Sequence, residues 1–393
     1  MRKLQGIITL IHVSCVFWFG ALRLASSSGS APKGPVSIIV YIMDLSACGT
    51  AVPVTTPQAV MAFLGTTQPQ NLAGYYNACT MGGVSLNVTG SVAYNVPYPC
   101  ADGGILDNKD TFKMDSCNNN VIPWQNYAEN YVITKLGVNL APFAHRVILL
   151  PMNFHDIMTG CNFAALSFGY WSATAANQAA GNNFGYGYIW MGGINWNDIP
   201  VWAHELGHNM GFAHSRSEIL PWIGNTSDYS DPMSSWGGNQ SRCYNAPHMW
   251  NAGWATPTTT LSAPSVVAPA RFITMPMQNA AETTGIKILG AADATFAFAL
   301  SFRDTNAPYD RPFINQKMTQ GIMVYRVPSG IIYTDTALVG SLFLVGDSWY
   351  DPVTLLEATL ISIYSGYVTV ALCTRVSPQV SCYTGDLYIA VCL

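Results

Sequence analysis

The chain of 393 residues predicts two domains, an α+β domain over residues 36–254 and an all-β, sandwich-like domain over residues 271–393. Three observations carry that expectation. Up to about residue 254, short apolar runs suited to strands interleave with segments of helical spacing. Residues 255–270, ATPTTTLSAPSVVAPA, are rich in Pro, Thr and Ser and are expected to form a linker. Beyond them the hydrophobic runs alternate with period two, as in TFAFALSFRD (295–304), GIMVYRV (321–327), YVTVALC (367–373) and LYIAVCL (387–393).

Taken in order, residues 1–30 form an export signal. Arg2 and Lys3 precede an apolar run from Ile7 to Leu22, and LASSSGSAP supplies small residues for cleavage between Ala25 and Ala31. The run is longer than an ordinary signal core, so an uncleaved signal anchor is the alternative. VSIIVYIMDL (36–45) is a strand. WQNYAENYVITKLG (124–137) has helical spacing at Trp124, Tyr127, Tyr131 and Leu136 and stops at Gly137. AHRVILLPM (144–152) and YGYIWMGG (186–193) are further strands, and Asp198 with Pro200 starts a helix. ATLISIYSGYVTVALC (358–373) alternates in polarity and divides into two strands about Ser365 and Gly366, so it does not span a membrane.

Composition narrows the function. A net charge of −4 with only 10% charged residues gives no basic field, which argues against a nucleic-acid partner. Of ten cysteines, Cys15 lies in the signal; the other nine occur singly, with no CxxC pair. That pattern points to disulfides in an oxidising compartment rather than to a cysteine metal cluster. Cys373 and Cys382 bracket a turn-like TRVSPQVS and are the easiest local pair to propose. Asn87, Asn225 and Asn239 head Asn-x-Ser/Thr sequons and are candidate N-glycosylation sites on an exported chain.

Chemistry concentrates in HELGHNMGFAH, residues 204–214. On a helix, His204 and His208 are about 6 Å apart along the axis and project from one face, the reach needed for two nitrogens to hold one Zn2+. Gly211 can adopt the left-handed conformation that ends a helix, and His214 returns as a third ligand. Three protein ligands leave an open fourth position, the mark of a catalytic site, and Glu205 sits beside it as the candidate general base. Random placement of H-E-x-x-H-x-x-G-x-x-H in a chain of this composition has a chance on the order of a few in a million, which sets aside a helix of merely structural histidines. Downstream, DYSDPMSSWG (228–237) places Met233 in turn chemistry, the expected methionine floor of a metzincin-like zinc site. Ser235 stands where some metzincins carry a tyrosine ligand, so no fifth protein ligand is expected. His145, His155 and His248 are expected to be structural or surface residues. Aromatics between 168 and 202 are expected to line a groove for an extended peptide.

With these residues in view, the sequence resembles gametolysin, the peptidase family of volvocine green algae that degrades cell-wall and extracellular-matrix glycoproteins. YYNACTMGGVSLNVTG, the 124–151 segment, GCNFAALSFG, CYNAPHMWNAGW and LSFRDTNAPYDRPF are similar to family blocks, in family order. The resemblance implies His204, His208 and His214 as zinc ligands, Glu205 as acid–base, and a secreted, extracellular metalloendopeptidase with a protein or glycoprotein substrate. Stable membrane association is expected only if the signal stays uncleaved. Family proteases can carry a propeptide, whereas here about ten residues separate the signal from the first strand, which leaves latency by a propeptide without support. Cys48 as a zinc-plugging thiol is weighed against a disulfide, and the disulfide is favoured. The competing readings are a non-catalytic wall-binding or structural protein on the same fold, and a zinc amidase acting on non-peptide amides.

Overall fold

The computed structural model describes residues 34–49, 51–65, 70–100, 112–219, 228–234, 241–262, 270–290, 296–305, 309–310, 319–328, 335–378 and 380–381. The expected signal, Asn225, Asn239, Ser235, Cys382 and the 387–393 run lie outside them. Its first part comprises β1 (Gly34–Asp44), α1 (Pro57–Leu64), α2 (Leu72–Cys79), β2 (Val84–Leu86), β3 (Val92–Pro97) and α3 (Val121–Leu136). These are followed by β4 (Phe143–Leu149), α4 (Phe154–Ile157), β5 (Ala165–Trp171), α5 (Ala175–Ala179), β6 (Tyr186–Met191), α6 (Ile199–Asn209), β7 (Ser215–Ser217) and α7 (Ala246–Asn251).

One sheet organises this part, in the order β2-β1-β4-β6-β5 with β3 also on β1. All its pairings are parallel except β5 on β6, so β5 is an antiparallel edge. The near-continuous apolar run of β1 is explained by burial on both faces. Ile38, Val40 and Ile42 join Val147, Ile189, Trp202 and Leu206 in one core. Ile39, Tyr41 and Met43 alternate with them and join Ile148, Trp190, Trp124, Ala128 and Val132 in a second. Helices therefore cover both faces of a mostly parallel sheet. The layering is closer to α/β than to the expected α+β, because interleaved strands and helices make crossover connections. α3 ends as its sequence requires: Gly137 takes φ 69° and its N–H bonds Ile133 and Val132 carbonyls.

The second part comprises β8 (Thr259–Ser262), β9 (Arg271–Pro276), β10 (Ile286–Leu289), β11 (Phe296–Asp304), β12 (Gln320–Pro328), β13 (Thr336–Leu342), β14 (Ser348–Tyr350), β15 (Leu356–Tyr364) and β16 (Tyr367–Thr374). Two sheets, β7-β13-β12-β11-β10-β8 and β14-β15-β16-β9, close on one core that includes Phe298, Leu300, Ile322 and Val324 from the first and Leu360, Val368, Val370 and Leu372 from the second. The pair of strands about Ser365 and Gly366 is present as β15 and β16, in antiparallel register. The stretch taken for a linker differs. Residues 259–262 are β8, in parallel register with β10, because TTTL is β-branched as well as loop-like in composition. β7, which directly follows His214, belongs to the larger sheet of this part.

Candidate active site

α6 starts at Ile199 with Pro200 in its first turn, where the fixed φ of proline suits a helix and its missing N–H is not needed. Trp202, Ala203 and Leu206 bury one face against the sheet. That packing leaves His204 and His208 together on another face, while Glu205 is itself only 6% exposed. Gly211 then takes φ 89°, a left-handed turn that other residues rarely adopt. The chain doubles back so that the Phe212 N–H bonds the Gly207 carbonyl at 2.9 Å, and His214 arrives beside the other two imidazoles.

The three histidines offer nitrogens that all lie within 4.8 Å of one another. Nε2 of His208 is 3.1 Å from Nε2 of His204 and 3.1 Å from Nε2 of His214. Tetrahedral coordination at 2.0–2.1 Å per bond asks for nitrogens about 3.3 Å apart, so the donor set fits zinc. The orientation of two of the rings is fixed from behind. His204 Nδ1 lies 2.8 Å from the Pro232 carbonyl and His208 Nδ1 lies 2.9 Å from the Phe212 carbonyl. A carbonyl only accepts, so each Nδ1 carries the hydrogen and each Nε2 presents a bare lone pair. Two lone pairs at 3.1 Å repel unless a cation lies between them. Burial, chiefly, lowers the His204 pKa to about 4 and that of His208 to about 3, which disfavours a proton as that cation near neutral pH.

Glu205 has its pKa raised to about 7, first by burial, with hydrogen bonding from Ser167 of the edge strand β5 pulling the other way. A carboxyl poised there can accept and return a proton near neutral pH.

Met233 is fully buried against Gly207 of α6, in the same core as Trp202, Ala203 and Leu206. Its turn is tied down at both ends. The Met233 N–H bonds Asp231 Oδ1 at 2.6 Å, and the Met233 carbonyl accepts the Ser215 N–H at 3.0 Å, next to His214. Asp231 Oδ2 also accepts from the Asn245 N–H at 2.7 Å and faces His248 Nδ1 at 2.9 Å. Burial alone would raise the Asp231 pKa, but the His248 imidazole and these donors outweigh it and the net direction is downward.

Several supporting residues were not singled out from the sequence. Gly207 is one: a Cβ there would overlap Met233 Sδ, so the second variable residue of HExxH has to be small for the turn to come this close. Asp231 is another, and DPM in the sequence is the signal that could have found it. His248 is buried and structural as expected, yet it braces the methionine turn. His145 is buried beside Asn209, and His155 is exposed and lies against Phe154.

The expected aromatic groove is corrected for Trp171 and the rings of β6. Tyr186, Tyr188 and Trp190 share one face of β6 by period-two alternation, and with Trp171 they pack in the α3-side core, away from α6. Asn87 donates its amide to Ser37 Oγ at 3.1 Å and is half-buried.

Cys48 pairs with Cys100, Cys79 with Cys243 and Cys117 with Cys161. Cys373 is disulfide-bonded too, while Cys382, its expected partner, lies outside the described residues. Among the described residues no helix is long and apolar enough to cross a membrane.

Three imidazoles thus converge on one point, with a buried carboxyl beside them. The family model of gametolysin peptidase M11 matches residues 37–298, and the chain belongs to that family. It is also similar to a protein named autolysin from Chlamydomonas reinhardtii, 26% identical over 292 residues. That match covers 63% of this chain and 42% of the autolysin, so the chain spans less than half of its relative.

Proposed function

We propose that the protein is a secreted, zinc-dependent endopeptidase with a metzincin-like site. In this reading His204, His208 and His214 hold the metal, Glu205 is the general base, and Met233 is the floor. The observation that carries it is the inward-facing pair of Nε2 lone pairs on His204 and His208, each fixed by a carbonyl behind its ring. Zinc bound there supplies a Lewis acid that acidifies water and polarises a carbonyl. Glu205 takes the proton from the attacking water and returns it to the leaving amine, a role its raised pKa suits. The family and the autolysin relative support a cell-wall or extracellular-matrix glycoprotein as substrate, and the disulfides support an extracellular location.

The test is cleavage of a denatured protein by purified enzyme. A chelator should abolish it and zinc should restore it. Glu205→Gln should keep about one zinc per chain yet lose about 10²–10⁴-fold in turnover, whereas His208→Ala should lose the metal. Undiminished cleavage by Glu205→Gln, or full zinc content in His208→Ala, would refute the assignment.

A further inference from the structure

The strand that follows the third histidine is held by the β-rich part of the chain. β7 pairs with β13 in parallel register, Ser215 with Thr336, Ala337 with Arg216 and Leu338 with Ser217. Continued one residue back along both chains, that register would set His214 beside Asp335, with paired strands about 4.8 Å apart. In parallel strands, abreast residues point to the same side. The pairing is anchored in the interior: Thr336 is buried, and its Oγ1 accepts the Asn245 amide at 2.7 Å. Asn245 in turn bonds Asp231 beneath the methionine turn.

His214 also lacks what the other two histidines have. The Nδ1 atoms of His204 and His208 face carbonyls, whereas His214 Nδ1 has no hydrogen-bond partner among the described residues. When Nε2 binds a metal, Nδ1 must carry the hydrogen, and a carboxylate acceptor then fixes the ring and raises its basicity. Among the described residues Asp335 has no ion pair, and Arg216 is engaged by Glu218 at 3.3 Å.

We propose that the β-rich part supplies a positioning residue to the metal centre: Asp335, carried in by β13, makes no hydrogen bond to His214 in the metal-free chain and accepts its Nδ1 hydrogen once Nε2 holds the metal. The inference rests on the zinc reading above. Both residues are exposed, so solvent screens the interaction and its effect falls at the low end of the range for such partners. Zinc affinity is the readout, measured on the whole chain by competition with a chromogenic chelator.

Asp335→Asn and Asp335→Ala should bind zinc about tenfold more weakly than the wild type, with unchanged thermal melting of the metal-free proteins. Asp335→Glu should recover part of the loss. The cobalt-substituted variants should show an altered visible spectrum, and the gap between variant and wild type should shrink in about 1 M salt, where the screening length is about 3 Å. Affinity within twofold of wild type together with an unchanged cobalt spectrum would overturn the role of Asp335 while leaving the zinc site standing. A wild-type chain that binds no zinc would overturn both.

Discussion

Burial of Glu205 makes a prediction that needs no substrate. In the metal-free protein its pKa is raised from the ordinary 4.5 to about 7, chiefly by desolvation. An acid whose folded pKa is raised gives up its proton first in the unfolded chain. Stability therefore falls as pH climbs through the interval between the two values and levels off above the folded one. Each pKa unit corresponds to about 1.4 kcal/mol, so between pH 5 and pH 8 the carboxyl should cost the native state roughly 2–3 kcal/mol. Glu205→Gln removes that titration. The assay is urea denaturation of chelator-treated wild type and variant at several pH values, read as the difference between the two. The lowered pKa values of His204 and His208 act the opposite way, losing stability as pH falls, but they are present in both proteins and cancel in the difference. The Gln variant should gain on wild type steadily from pH 5 to pH 8 and not beyond. Parallel stability curves, within about 0.5 kcal/mol, would show that Glu205 is solvated and that the burial argument for its role as base is wrong.

Gly207→Ala sets a helix-propensity gain of about 1 kcal/mol against overpacking of about 1–3 kcal/mol where the new methyl meets Met233. A lower melting temperature and weaker zinc binding are expected, and a more stable variant would show that the turn does not press on α6. Arg303 and Asp310 form a fully buried pair, with Arg303 also bonding the Cys243 carbonyl at 3.0 Å. Arg303→Met should cost about 3–5 kcal/mol in chemical denaturation, and adding Asp310→Asn should recover part of it by removing the stranded charge; equal costs for the single and double variants would deny the pair. A chain ending near residue 256 should aggregate on expression, since it strips the partners from β7, Asn245 and Ser230. Soluble protein with a cooperative melt would contradict that.

Local signals carried much of the fold. The apolar run of β1, the capping glycine after α3, Pro200 at the head of α6 and the left-handed Gly211 are each set by neighbours within a few residues, so periodicity and turn chemistry reveal them. The three histidines and Glu205 were legible for the same reason: one helix and one turn assemble most of the constellation. What stayed hidden depends on partners far along the chain. A three-residue strand such as β7 has no pattern of its own and exists because β13 is there to pair with it. β8 was masked by its Pro and Thr content, and disulfide connectivity such as Cys79 to Cys243 follows only from the finished fold. The aromatics near β6 were misplaced because composition shows that rings are present but not which face of a sheet they occupy.

The contacts between the two parts bear on what unit the chemistry needs. Several hydrogen bonds from the β-rich side reach the methionine turn and the segment leading into α7. Tyr325 reaches Ser230 at 2.7 Å, Thr336 accepts from Asn245, Arg303 donates to the Cys243 carbonyl, and Gln278 donates to the Tyr244 carbonyl at 2.7 Å. Tyr244 in turn donates to the Ala203 carbonyl at 2.7 Å, one residue before the first histidine. Buried polar groups left without partners each cost about 1–3 kcal/mol, so losing these bonds together would cost a large share of the stability of an ordinary domain. The family match agrees, since it runs through the expected linker and ends at residue 298, inside β11. A composition boundary at residue 255 is therefore not an energetic one. The helix supplies two histidines and Glu205, but the place of the third histidine is set where the two parts meet, and it is there that changes in the β-rich part would reach the proposed metal site.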